Sequence, residues 1–169
     1  AGTYSGESTG NVVVSVKDVI LENMVIGGNL YLTPGIGEGD VYIKNVNIKG
    51  NVYADGGGEN SINIDNSTVN GKLIVNKSNV RVVVGSNSNL EGIEVTEDGT
   101  GALIIIEEGT TISNIVINGA VTLEGNGDIE RIEINVDGVI LKQKPKNIIL
   151  AEGVKAIIGG VEVIGGKNG

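Results

Sequence analysis

A segment that recurs at a fixed interval constrains a fold more tightly than composition does, and this chain contains one. The stretches LENMVIGGNLYL (21–32), IKNVNIKGNVYA (43–54) and IDNSTVNGKLIV (64–75) share one template: apolar, any, Asn, any two, apolar, any, Gly, any, apolar. Asn23, Asn45 and Asn66 fall 22 and 21 residues apart, and so do Ile26, Ile48 and Val69, then Gly28, Gly50 and Gly71, then Leu30, Val52 and Leu73. The register continues less strictly through NLEGIEV (89–95), TISNIVI (111–117), DIERIEI (128–134) and NIILAEGVKAII (147–158), making about seven repeats of about 21 residues. Several very short strands per repeat of this length mark a solenoid. Leucine-rich repeats have a similar period, but their Leu-x-Leu-x-x-Asn scaffold and helical segment are missing.

The expected fold is therefore all-β, a right-handed parallel β-helix, the hand following from the preference of parallel crossovers. Each repeat is one coil, and each strand pairs with its equivalent about 4.8 Å above and below. Alternation places Ile43, Val46, Ile48, Val52 and Ala54 inward, and Lys44, Asn47, Lys49, Asn51 and Tyr53 outward. Apolar residues make up 40 % of the chain, yet Phe and Trp are absent and only 4 Tyr occur, so aliphatic side chains must fill the core. With 28 Gly and 2 Pro, the turns rely on residues that tolerate positive φ. Gly28, Gly50 and Gly71 are expected to take that conformation at a corner, with Asn114 in the same role later. Stacked Asn23, Asn45 and Asn66 are expected to form an amide ladder. Residues 1–11 read as a linker or N-terminal cap, 12–160 as the helix domain, and 161–169 as a C-terminal cap or linker.

The net charge of −9 argues against nucleic acid. No apolar run is long enough for a membrane helix. The absence of His and Cys removes Ser–His–Asp and Cys–His catalysis and zinc sites built on those residues. GIGEGD (35–40) and DGGGEN (55–60) lack the Lys-Ser or Lys-Thr and the helix of a phosphate loop. A polysaccharide lyase or hydrolase using carboxylates stays open, although Arg81 and Arg131 lie far apart in the repeat register.

Two stacked features remain. The GIGEGD and GGGEN loops occupy the same corner in consecutive coils, bringing Glu38 and Glu59 into line with Asp40 and Asp55 nearby. Repulsion among these carboxylates would be relieved by calcium, or the loops are simply solvated acidic turns. Tyr31 and Tyr53, 22 apart, are expected at one outward position, with Tyr42 on a different strand of the same region. They are candidate platforms for sugar rings, with Lys44, Asn51 and Asn29 as hydrogen-bonding neighbours. The alternative is a cross-strand pair that only stabilises the sheet.

The stretch GDVYIKNVNIKGNVYADGGGENSINIDNSTV (39–69) resembles the β-helical segments that accompany surface-layer anchoring repeats in extracellular proteins. It is most similar to carbohydrate-binding module family 54, the non-catalytic module attached to a multidomain β-1,3-glucanase (laminarinase), over roughly residues 12–160. The resemblance implies a secreted, cell-surface setting among other domains of one chain. It also implies binding of β-glucan, xylan or similar polysaccharides, with calcium as a companion, by an isolated module that is a monomer. A surface spacer of the same architecture, with no ligand, is the rival reading.

Overall fold

The computed structural model describes residues 1–85 and 87–166. Among these residues eighteen short strands join edge to edge, every pairing parallel except the last. The coils stack as the repeat requires, and each has three faces. In chain order, the first carries Tyr42 and Lys44 and continues through 2–4, 19–22, 41–44, 63–65, 81–84, 103–106, 122–124, 139–141 and 155–158. The second runs through 6–8, 24–26, 46–48, 68–69, 89–90, 111–112 and 128–129. The third stacks Val12–Val14, Leu30–Leu32 and Val52–Ala54 on 73–75, 93–95, 115–117, 132–134 and 148–150, a run of eight rungs. The fold is a parallel β-helix of about eight turns.

The core is the bore of this prism. Ile43, Val46, Ile48, Val52 and Ala54 all point into it and are buried, as alternation requires. Like positions stack on like: Leu30, Val52, Leu73, Ile93, Ile115 and Ile132 form one continuous aliphatic column. β-branched and leucine side chains suit the extended backbone and repeat at the rung spacing without gaps.

The corner chemistry differs from expectation. The left-handed residues between the first and second faces are the asparagines, with φ of 52° at Asn23, 53° at Asn45, 48° at Asn66 and 63° at Asn87. Asn tolerates this region because its short amide can bond locally. Gly28, Gly50 and Gly71 do not have positive φ. They are glycines because coils approach closely there. A methyl group at Gly50 would lie 2.7 Å from the Gly28 carbonyl oxygen, and one at Gly71 2.7 Å from that of Gly50. The tight approach lets Gly50 N–H donate to Gly28 O at 2.9 Å and Gly71 N–H to Gly50 O at 3.0 Å. Asn114 is not a left-handed corner either. It pairs with Gly92, which pairs with Lys72, one position beyond the glycine. A register shift between Leu90 and Gly92 marks where the later coils shed the extra residue.

The two ends are built differently from each other. Residues 1–11, expected as linker or cap, contribute Gly2–Ser8, which pairs in parallel with Val19–Ile26 as the first rung. Within the expected cap 161–169, Val161–Ile164 folds back antiparallel on Lys155–Ile158, and residues 167–169 lie outside the described part. No helix is long and apolar enough to cross a membrane among the described residues.

The two kinds of corner respond differently to substitution. Gly50→Ala should destabilise by about 1–3 kcal/mol, because the methyl would meet both the Asn29 side-chain oxygen, which is held by the Asn51 N–H, and the Gly28 backbone carbonyl. Asn45→Gly keeps the left-handed backbone and loses one amide bond, worth about 1 kcal/mol. Thermal denaturation should therefore rank Asn45→Gly well above Gly50→Ala. The reverse order would overturn this assignment of the corners.

Candidate functional site

Four outward surfaces carry the polar and aromatic groups singled out by the sequence, and they separate structural from available chemistry. On the third face, Tyr31 and Tyr53 pair in register as expected. Their rings stack with centroids 4.9 Å apart and planes 9° from parallel. Parallel rings that close must overlap, so each turns one face to the other, as the expected stacking requires. Their hydroxyls are engaged as well, accepting from Asn29 Nδ2 at 3.3 Å and Asn51 Nδ2 at 3.1 Å.

Asn29 and Asn51, expected as sugar contacts, are built into the scaffold. Asn29 Oδ1 accepts from the Asn51 N–H and Asn51 Oδ1 from the Lys72 N–H, both at 2.8 Å, each one coil onward. Asn11 begins the series by accepting from the Asn29 N–H at 2.8 Å. This column satisfies backbone donors at the glycine corner.

The acidic corner is similarly occupied. The loops do stack, with Gly57 N–H donating to Gly37 O at 2.7 Å. Glu38, however, lies over Gly58 rather than Glu59, since a methyl on Gly58 would lie 2.9 Å from a Glu38 carboxylate oxygen. Lys77 Nζ contacts Glu38 Oε1 at 2.8 Å, and Asn76 Nδ2 donates to Asp55 Oδ1 at 2.7 Å. Glu38, Asp40, Asp55 and Glu59 therefore do not converge, and no group of three or more His, Cys, Asp or Glu side chains among the described residues is arranged to hold a metal.

On the first face, Tyr42 and Lys44 sit together, away from Tyr31 and Tyr53. Lys44 Nζ lies 5.7 Å from the Tyr42 ring centroid, a cation–π distance. They line a shallow groove of about 280 Å³ with Asn63, Asp65, Val83, Gly85 and Glu107. Two carboxylates meet over Gly85: a methyl group there would lie 2.6 Å from Asp65 Oδ1 and 3.1 Å from Glu107 Oε1. Sequence reasoning missed Asp65, Glu107 and Gly85, although Asp65 follows Ile64 as Lys44 follows Ile43 in the template.

A longer polar trough of about 520 Å³ lies around the corner, lined by Asn23, Asn45, Asn66 and Asn87 with Asn47 and Thr68 of the second face. The expected ladder is present between its first two members, Asn45 Nδ2 donating to Asn23 Oδ1 at 2.8 Å. Behind it, two residues that sequence reasoning overlooked complete the corner. Ser67 Oγ accepts from the Val46 N–H at 3.0 Å, and Ser88 Oγ from the Ser67 N–H at 3.1 Å.

Farther along the third face, Asn135 Nδ2 donates to Glu133 Oε2 at 3.0 Å and Arg131 Nη2 to Glu133 Oε1 at 3.3 Å. The Asn135 hydrogen bond first, then Arg131, hold this carboxyl below its ordinary range. A depressed folded-state pKa stabilises above the unfolded value, and that stability is lost as pH falls through the folded value. Glu133→Gln should flatten the acid-side decline of Tm relative to the wild type, as followed by thermal melts from neutrality downward. Parallel Tm profiles would count against the ionised pairing.

Tyr53→Ala should cost about 1 kcal/mol from the ring pair, plus the area that the ring covers, so Tm should fall. An unchanged Tm would mean that the stack contributes nothing to the fold. Comparison with protein families, curated proteins and solved structures gives no match to this chain.

Proposed function

We propose that the chain is a non-catalytic polysaccharide-binding module of a secreted, cell-surface glycoside hydrolase, of the kind represented by carbohydrate-binding module family 54, taking β-glucan or xylan-type polymers on a shallow outward face. The observation that carries this reading is the first-face groove. It joins an aromatic ring, an ammonium group, an amide and two carboxylates: Tyr42, Lys44, Asn63, Asp65 and Glu107. Sugar recognition needs these groups in combination. A ring accepts the apolar face of a pyranose, while carboxylates and amides take its hydroxyls in pairs.

The groove is open, so a polymer can pass across it rather than end in it. One ring contact is worth about 1 kcal/mol, which gives weak binding at a single site. Many copies on an insoluble polymer raise retention by avidity.

A second reading, a structural spacer without ligand, is favoured by one observation: the Asn11–Asn29–Asn51 column and the Tyr31–Tyr53 stack spend their polar groups on neighbouring coils. The two readings separate in a pull-down with insoluble β-glucan and xylan. Binding predicts retention of the wild type and a loss of about tenfold in Tyr42→Ala/Asp65→Asn, with Tm nearly unchanged because both side chains point outward. Absence of retention on every polysaccharide would leave the spacer.

A further inference from the structure

The trough around the corner is not used by the Tyr42 groove and has its own chemistry. Its lining combines two rows. One is the left-handed column Asn23, Asn45, Asn66 and Asn87, and the other runs Glu7, Val25, Asn47 and Thr68. The column amides are exposed to solvent. Asn47 Oδ1 is buried with no hydrogen-bond partner among the described residues. A buried acceptor left unpaired is costly in a folded protein, and a modest turn of this amide would offer it to a hydroxyl in the trough.

The left-handed turn alone does not demand these amides. One coil onward the turn is made by glycine: Asn87 N–H donates to Gly109 O at 3.2 Å, and Gly109 has φ of 88°. Gly6, with φ of 111°, lies beyond the other end of the column. Amides thus occupy four consecutive corners and glycine borders them on both sides.

We propose that this trough binds a neutral, extended β-1,4-linked polysaccharide lying parallel to the solenoid axis, with one sugar unit per coil. The proposal rests on the polysaccharide reading above and adds to it the linkage, the direction of the chain and a second row of contacts. Spacing selects the ligand. Rungs recur every about 4.8 Å, close to the length of one unit in an extended β-1,4 pyranose ribbon. A polypeptide strand advances about 3.3 Å per residue and falls out of step within two coils. A β-1,3-linked chain curls and leaves a straight line of contacts.

Charge selects further. Among the described residues Glu7 is the only charged one in the lining, and the chain carries a net charge of −9. A polyanion finds no cation there and is repelled by the overall field. Amides pair both as donor and as acceptor with hydroxyls, which suits an uncharged glycan.

The test is titration calorimetry with cello- and xylo-oligosaccharides from disaccharide to hexasaccharide, beside laminari-oligosaccharides and polygalacturonate. Affinity should rise with each unit to about four, matching the four asparagine corners, and then level. At equal length the β-1,3 series should bind about tenfold more weakly, and polygalacturonate should not bind. The variant Asn45→Gly/Asn66→Gly/Asn47→Ala keeps residues compatible with the left-handed backbone and should lose about tenfold in tetrasaccharide affinity. In the unsubstituted protein, the side-chain amide NMR signals of Asn45, Asn47 and Asn66 should shift on adding cellotetraose, a readout independent of how the variant folds. Affinity without length dependence, or unmoved amide signals at saturation, overturns the proposal. If the Tyr42→Ala/Asp65→Asn protein loses insoluble-polymer binding while the trough variant keeps it, the trough falls and the polysaccharide reading stands. If no glycan binds the wild type, both fall.

Discussion

Adjacent coils can hydrogen-bond along their whole perimeter only where nothing at the corners holds them apart. This close approach governs the rest of the structure. It explains why Gly28, Gly50 and Gly71 recur with the period of the coil although their φ values are ordinary: a side chain there meets the carbonyl of the coil below. It also explains the polar residues beside them. Where a corner turns the backbone out of the sheet, an N–H loses its ladder partner, and Asn Oδ1 or Ser Oγ from a neighbouring coil replaces it. A parallel solenoid therefore carries polar columns as a consequence of its corners, before any ligand is considered.

Periodicity made the fold readable, because coil-to-coil register needs only that like residues recur. Ile26 over Ile48 over Val69, and Tyr31 over Tyr53, follow from spacing alone. Backbone conformation was less legible. Both Asn and Gly suit a left-handed turn, and the template contains both, so spacing cannot say which one turns and which one yields space. The structure assigns the turn to Asn23, Asn45 and Asn66 and the close approach to the glycines. The site was legible only in part for a related reason. Stacking of Tyr31 on Tyr53 was visible in the sequence, but whether stacked rings present their faces or cover each other depends on side-chain angles that the period does not carry. Asp65 and Glu107 come from alternate coils and meet over Gly85, a convergence across two periods that no single repeat displays.

The ladders also sharpen the functional question. In an acidic solenoid rich in Asn and Tyr, an outward polar residue is not automatically available. Asn29 and Asn51 use both ends of their amides, one on the next coil's backbone and one on a tyrosine hydroxyl. Glu38 and Asp55 are met by Lys77 and Asn76. Removing these engaged groups leaves the Tyr42 groove and the asparagine trough as the surfaces with spare hydrogen-bonding capacity.

Both surfaces lie on the longer coils. Ladder contacts there join residues 22 apart, as between Asn23 and Asn45, whereas Asn118 and Asn135 are joined at 17. The shorter coils have given up residues between the third and first faces: 96–102 connect Val95 to Leu103, whereas only 118–121 connect Ile117 to Thr122. A shorter perimeter leaves fewer residues outside the sheet, hence fewer side chains at corners to form a depression. The later coils therefore extend the hydrophobic bore with Ile115, Ile117, Ile132 and Ile134, while the earlier ones spend additional residues on corners. In a solenoid each coil contacts only its neighbours, so coil length can change along one chain without disturbing the core. That independence lets a single repeat template provide a plain scaffold at one end and polar corner surfaces at the other.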